Sequence, residues 1–170
     1  MKRVRLFVAS AAILLGLVAA GLAPAQVAMA NSGDVLIVND HADKCVDVVD
    51  ASTAIGALVQ EWDCTKKSEQ QWTRASLSNG WWQMASRKSA LCLDVRGGQA
   101  VAGARVDQEL CDATELSQQW RITPGTNGFW VMNRLGMCLA LSPNTSKNGT
   151  PIVIDWCSDT SAKYWYYALL

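Results

Sequence analysis

Six cysteines fall into three pairs with one common interval, and that regularity restricts the fold more than any other feature of the chain. Cys45 and Cys64, Cys92 and Cys111, and Cys138 and Cys157 are each 19 positions apart. Aligned on the first cysteine of each pair, the stretches read CVDVVDASTAIGALVQEWDC, CLDVRGGQAVAGARVDQELC and CLALSPNTSKNGTPIVIDWC. Gly56, Gly103 and Gly149 lie eight residues before the second cysteine, and Val59, Val106 and Ile152 lie five before it. Trp72, Trp120 and Trp165 follow it by eight or nine, and the period from unit to unit is 47, then 46. Offsets that coincide at so many positions mark an internal repeat, in which each unit buries its apolar face only against the others.

The local patterns are those of strands. VLIVN, WWQMAS and FWVMN are β-prone runs ahead of the first cysteines, and CVDV and CLDV alternate as short strands do. Glycines at a fixed offset read as turn positions with positive φ, where a Cβ would be strained. Three units of about four strands each, over about 34–79, 80–127 and 128–170, predict an all-β closed structure with pseudo-threefold symmetry. One of Trp72, Trp120 and Trp165 should then point inward from each unit.

Ahead of the repeats, MKRVRLF carries Lys2, Arg3 and Arg5, an apolar run follows from Leu6 to about Ala23, Pro24 breaks it, and AMA at 28–30 offers small residues for cleavage. This reads as a secretory signal peptide over 1–30, and the protein is expected outside the cell. Cleavage after Ala30 leaves 170 − 30 = 140 residues, the size of one domain. That part holds 15 − 3 = 12 Lys and Arg against 15 Asp and Glu. A net charge near minus three argues against nucleic acid and anionic membranes as partners, both of which ask for clustered positive charge. The pair Lys66-Lys67 reads as a solvated loop tip. In an oxidising compartment six cysteines form disulfides, with fifteen pairings open in principle.

Gln70-Gln71-Trp72 and Gln118-Gln119-Trp120 repeat a tripeptide, of which Lys163-Tyr164-Trp165 is a degenerate third copy. With these motifs the chain resembles the ricin-B-type β-trefoil lectins, whose hallmark is a threefold Gln-x-Trp, over nearly everything beyond the leader. The resemblance implies a β-trefoil, carbohydrate as the partner, and a disulfide inside each unit: Cys45 with Cys64, Cys92 with Cys111, Cys138 with Cys157. The motif itself reads as structural, since a buried indole fills a barrel and its glutamine can pair backbone groups that turns leave open.

In that family the sugar site uses an aspartate two residues after the first cysteine, a glutamine four before the second, an aromatic two before it, and a polar residue three before the motif tryptophan. Carried onto the first unit, these are Asp47, Gln60, Trp62 and Glu69, with Gln70 beside them; Glu69 stands where the family usually has asparagine. Alternation from the apolar Val59 puts Gln60 and Trp62 on the outward face of one strand. An aromatic platform beside hydroxyl-binding groups is what sugar recognition needs. The second unit keeps Asp94 but has Asp107, Glu109 and Ser117 at the other places, beside Gln118, so at most a weak site, without a stacking ring, is expected there. The third has Ala140, Val153, Asp155 and Ala162 and should bind nothing. Its Trp156 shares a strand face with Ile152 and is expected in the core.

No enzyme is expected. His41 is the only histidine, and neither a Gly-x-Ser-x-Gly elbow nor a His-Glu-x-x-His helix occurs. Asp47 and Asp94 lie at equivalent places in different units, too far apart to act as paired acids. No Cys-x-x-Cys suggests zinc, and RGGQAVAG at 96–103 lacks the Gly-Lys-Ser or Gly-Lys-Thr of a phosphate loop and reads as a hairpin connection. Neither cofactor nor metal is expected, and no oligomeric state follows. A trefoil that binds protein, such as an inhibitor or a toxin or adhesin subunit with vestigial sugar residues, is the alternative, because two sites of three have lost their residues.

Overall fold

The computed structural model describes residues 31–170; the expected leader lies outside them. Among the described residues, twelve strands follow in four-strand sets. The first set is β1 (Asn31–Asn39), β2 (Lys44–Val48), β3 (Val59–Asp63) and β4 (Trp72–Ser76); the second is β5 (Trp82–Ser86), β6 (Cys92–Val95), β7 (Val106–Glu109) and β8 (Trp120–Pro124). The third is β9 (Phe129–Asn133), β10 (Cys138–Leu141), β11 (Thr150–Asp155) and β12 (Trp165–Leu169). The helical segments among the described residues are single 3-10 turns of three residues.

Pairing of β12 with β1, β1 with β4, β4 with β5, β5 with β8 and β8 with β9 builds the barrel, with β9 packed beside β12. The hairpins β2–β3, β6–β7 and β10–β11 form a cap, linked to one another by β3 against β11 and by the bridges Leu58 to Asp107 and Arg105 to Val153. This is the β-trefoil, with its threefold relation carried by the cap. The 96–103 stretch does connect two strands of a hairpin, β6 and β7.

Trp72, Trp120 and Trp165 are buried at the centre, against Ile37, Met84, Leu93, Leu139 and Ile152 among others. Each indole also carries a polar edge that must find an acceptor once water is removed. Each donates Nε1–H to the carbonyl of the residue after the first cysteine of its own repeat: Trp72 to Val46 at 3.2 Å, Trp120 to Leu93 at 2.9 Å and Trp165 to Leu139 at 2.9 Å. The motif therefore ties the barrel of each repeat to its hairpin.

The three disulfides join Cys45 to Cys64, Cys92 to Cys111 and Cys138 to Cys157, each within a repeat. Closing a loop of that length stabilises by about 3 kcal/mol in the chain-entropy account. Gly56, Gly103 and Gly149 hold φ of 75°, 86° and 85°, as their fixed offset requires. Trp156 corrects the sequence reading: it is 67% exposed. β11 ends at Asp155, so the alternation that would have buried Trp156 stops one residue short of it. Leu110 at the same place in the second repeat is exposed as well, as is Asp63 in the first.

Candidate functional site

The β2–β3 register sets Asp47 opposite Gln60 and Cys45 opposite Trp62. Alternation along β3 then separates two faces: Val59 and Glu61 are buried, while Gln60 is half-buried and Trp62 is 39% exposed. Asp47, Asp50, Ala51, Gln60, Trp62 and Glu69 line one surface cleft. Four of the five residues expected in the first repeat thus meet around one opening, a ring and carboxylates among them.

The fifth, Gln70, is fully buried and lies beneath the cleft, so it belongs to its foundation and not to its lining. Its Nε2 donates to Asp47 Oδ2 and to the Asp63 carbonyl, both at 2.9 Å, and its Oε1 accepts from the Thr65 and Lys66 amides at 2.7 and 3.2 Å. Every hydrogen-bonding direction of the amide is used. The role recurs: Gln118 donates to the Leu110 carbonyl at 2.8 Å and accepts from the Asp112 amide at 2.8 Å. Lys163 replaces it in the third repeat, donating to the Trp156 carbonyl at 2.7 Å and pairing with Asp155 at 2.9 Å.

Asp47 is held in place by two amides, Gln70 on Oδ2 and Gln60 Nε2 on Oδ1 at 3.0 Å. Burial raises its carboxyl above the usual aspartate range; the two glutamines act against this, and Glu69 adds to it. Glu69 adds less than burial does, and Lys88, from the turn after β5, whose Nζ stands 3.8 Å from Glu69 Oε2, acts against it. Asp50, Ala51 and Lys88 escaped the sequence reading, since none is tied to a repeated offset. The one trace in the sequence was Gly97, five residues after Cys92 as Asp50 is after Cys45; both positions hold a left-handed φ, of 70° and 54°.

In the second repeat Asp94, Asp107, Ser117 and Gln118 are all buried. Register sets Asp94 opposite Asp107, so a carboxylate replaces the amide that steadies Asp47. Neither Asp94 Oδ1 nor Asp107 Oδ1 has a hydrogen-bond partner among the described residues. Asp107 is pushed up to about 6, first by burial and then by Asp94, with Arg96 3.8 Å away opposing. Glu109, where Trp62 stands in the first repeat, offers no ring. In the third repeat Ala140 and Val153, buried and apolar, stand where the first repeat has Asp47 and Gln60.

Comparison with known proteins places the fold. Among solved structures, the designed threefold-symmetric protein ThreeFoil is 27% identical, with 81% of this chain and 99% of that one covered and a TM-score of 0.77. A ricin B-like lectin of Macrolepiota procera, solved with lactose, is 20% identical, covering 82% and 97% with a TM-score of 0.70. An exo-beta-1,3-galactanase from Clostridium thermocellum is 21% identical with a TM-score of 0.78, but the match covers 84% of this chain and 31% of the enzyme. Curated protein sequences gave no match. The family profile described as ricin-type beta-trefoil lectin domain matches residues 33–165.

Proposed function

The chain belongs to the ricin-type β-trefoil lectin domain family, and from that premise we propose that it is a secreted, non-enzymatic carbohydrate-binding module whose working site is the cleft of the first repeat. One observation carries the reading: the Trp62 ring is exposed beside an Asp47 carboxylate that two glutamine amides hold ready to accept hydrogen bonds. A sugar presents an apolar C–H face to such a ring and hydroxyl donors to such a carboxylate. Ionised Asp47 and Glu69 accept only, so the ligand must donate to both, which favours neutral sugars with adjacent free hydroxyls. Sialic and uronic acids would bring a carboxylate against like charge.

A glycan array probed with the oxidised protein tests the proposal. Neutral glycans should be retained; blank arrays, together with a protein partner recovered by pull-down, would favour the protein-binding alternative.

Glu69 allows a sharper expectation. Its charge helps to hold the Asp47 proton, so Glu69→Asn should let Asp47 stay ionised to lower pH. Binding of a neutral sugar should be kept or strengthened, and its loss on acidification should begin at a lower pH than in the wild type. Titrations from about pH 4 to 7.5, across the range where carboxylates ionise, measure this. An unchanged pH profile would remove Glu69 from the site.

A further inference from the structure

We propose that the third repeat buttresses the first-repeat cleft from behind its lining, and that Asn148 is a positioning residue for Trp62; the binding arm of this proposal rests on the reading of that cleft as the sugar site. The turn between β10 and β11 lies against β3. Gly149 N–H donates to the Glu61 carbonyl at 2.9 Å, and β11 sets Pro151 opposite Gln60. A Cβ built on Gly149 would stand 3.8 Å from Gln60 Oε1 and 4.0 Å from Trp62 Cζ3, so this backbone borders the two residues that form the cleft's outer face.

Asn148 then grips the residue next to Trp62. Its Oδ1 accepts from the Asp63 amide at 3.0 Å and from Lys44 Nζ at 2.8 Å, and its Nδ2 donates to Asp63 Oδ2 at 2.8 Å. Lys44 also pairs with Asp63. Main chain and side chain of Asp63 are both fixed, by a segment 85 residues away.

The other two junctions of the cap separate what the fold needs from what this site has added. Gly56 N–H to Gln108 and Gly103 N–H to Ile154, both 2.8 Å, repeat the glycine bond, so that bond belongs to the trefoil. The clasp does not recur. Where Asn148, Asp63 and Lys44 meet, the second repeat's junction brings Ile55, Leu110 and Leu91, and the third's brings Ala102, Trp156 and Met137. Two junctions hold with no polar clasp, and the third carries one beside the repeat that keeps Asp47, Gln60 and Trp62 together. Asn148 and Asp63 themselves stay outside the cleft lining.

The test uses the oxidised chain, with lactose and N-acetylgalactosamine as probes, and follows the Trp62 indole N–H resonance, assigned through Trp62→Phe. Asn148→Ala should shift and broaden that resonance without ligand, leave the urea midpoint nearly unchanged, and weaken probe binding about fivefold, the scale of one or two lost hydrogen bonds. Exchanging the partners, Asp63→Asn together with Asn148→Asp, keeps a carboxylate for Lys44 and an amide-to-carboxylate bond, and should restore both readouts. An Asn148→Ala chain with the wild-type resonance and affinity within about twofold would overturn the proposal. If neither sugar binds the wild type, the resonance alone decides: a shift upholds Asn148 as a positioning residue, and an unmoved signal overturns it.

Discussion

Replacing Glu61 by glutamine should stabilise the protein above neutral pH and leave it nearly unchanged near pH 4. Glu61 is completely buried, neither carboxylate oxygen has a hydrogen-bond partner among the described residues, and its carboxyl is pushed up to about 7, with burial as the cause and Lys44 opposing weakly. A buried acid with a raised pKa carries no ionisation penalty while both folded and unfolded chains hold the proton. As pH rises from 4.5 toward 7 the unfolded chain releases it and the folded chain does not, so stability falls across that window and levels off above it. A shift from 4.5 to about 7 corresponds to a penalty of at most about 3 kcal/mol, a large part of a domain's net stability. The second repeat shows what an amide does at the same place: Gln108 Nε2 donates to the Ser52 and Ala54 carbonyls at 3.0 and 2.9 Å, and Ser89 donates to its Oε1 at 2.8 Å. Urea unfolding of wild type and Glu61→Gln between about pH 4 and 8 measures the difference. Parallel pH profiles would show that Glu61 reaches a partner.

Trp120→Ala should cost about 3–5 kcal/mol, the range for removing a buried tryptophan. The indole is wholly buried, its N–H holds the Leu93 carbonyl at 2.9 Å, and Trp120 sits opposite both Trp82 and Asn133, joining the second repeat's strands to the third's. Truncation opens a cavity and leaves a buried carbonyl unpaired. Trp120→Phe should fall between, since it fills most of the space and still loses the hydrogen bond. Trp62→Ala provides the contrast: 39% exposed and with no side-chain hydrogen bond among the described residues, it should move the urea midpoint little. Comparable destabilisation by Trp62→Ala and Trp120→Ala would erase the distinction between a fold tryptophan and a site tryptophan.

That distinction also marks what could be read from the chain. Features copied at fixed offsets were legible, because a requirement of the architecture must be met three times: the cysteine pairing, the positive-φ glycines and the inward tryptophans. Trp62 and Gln60 could be placed on an outward face because period-two alternation carries over the short β3. Trp156 failed for the same reason in reverse, since the strand ended before the alternation reached it. Gln70 is adjacent in sequence to Glu69, yet one lines the cleft and the other supports it, a difference set by a single 3-10 turn at Ser68–Gln70. Lys88 and Asn148 could not be found at all. They reach the first repeat from the second and third, through contacts that exist once and leave no periodic trace.

Whether the first-repeat cleft is the one working site is settled most directly by calorimetric titration of the strongest neutral glycan from the array into wild type and Trp62→Ala. The account predicts a stoichiometry of one per chain, with a dissociation constant in the roughly millimolar to high micromolar range for a simple sugar. It predicts no detectable heat of binding in a Trp62→Ala chain that keeps its urea midpoint. A stoichiometry near three, or undiminished binding by that variant, would contradict it.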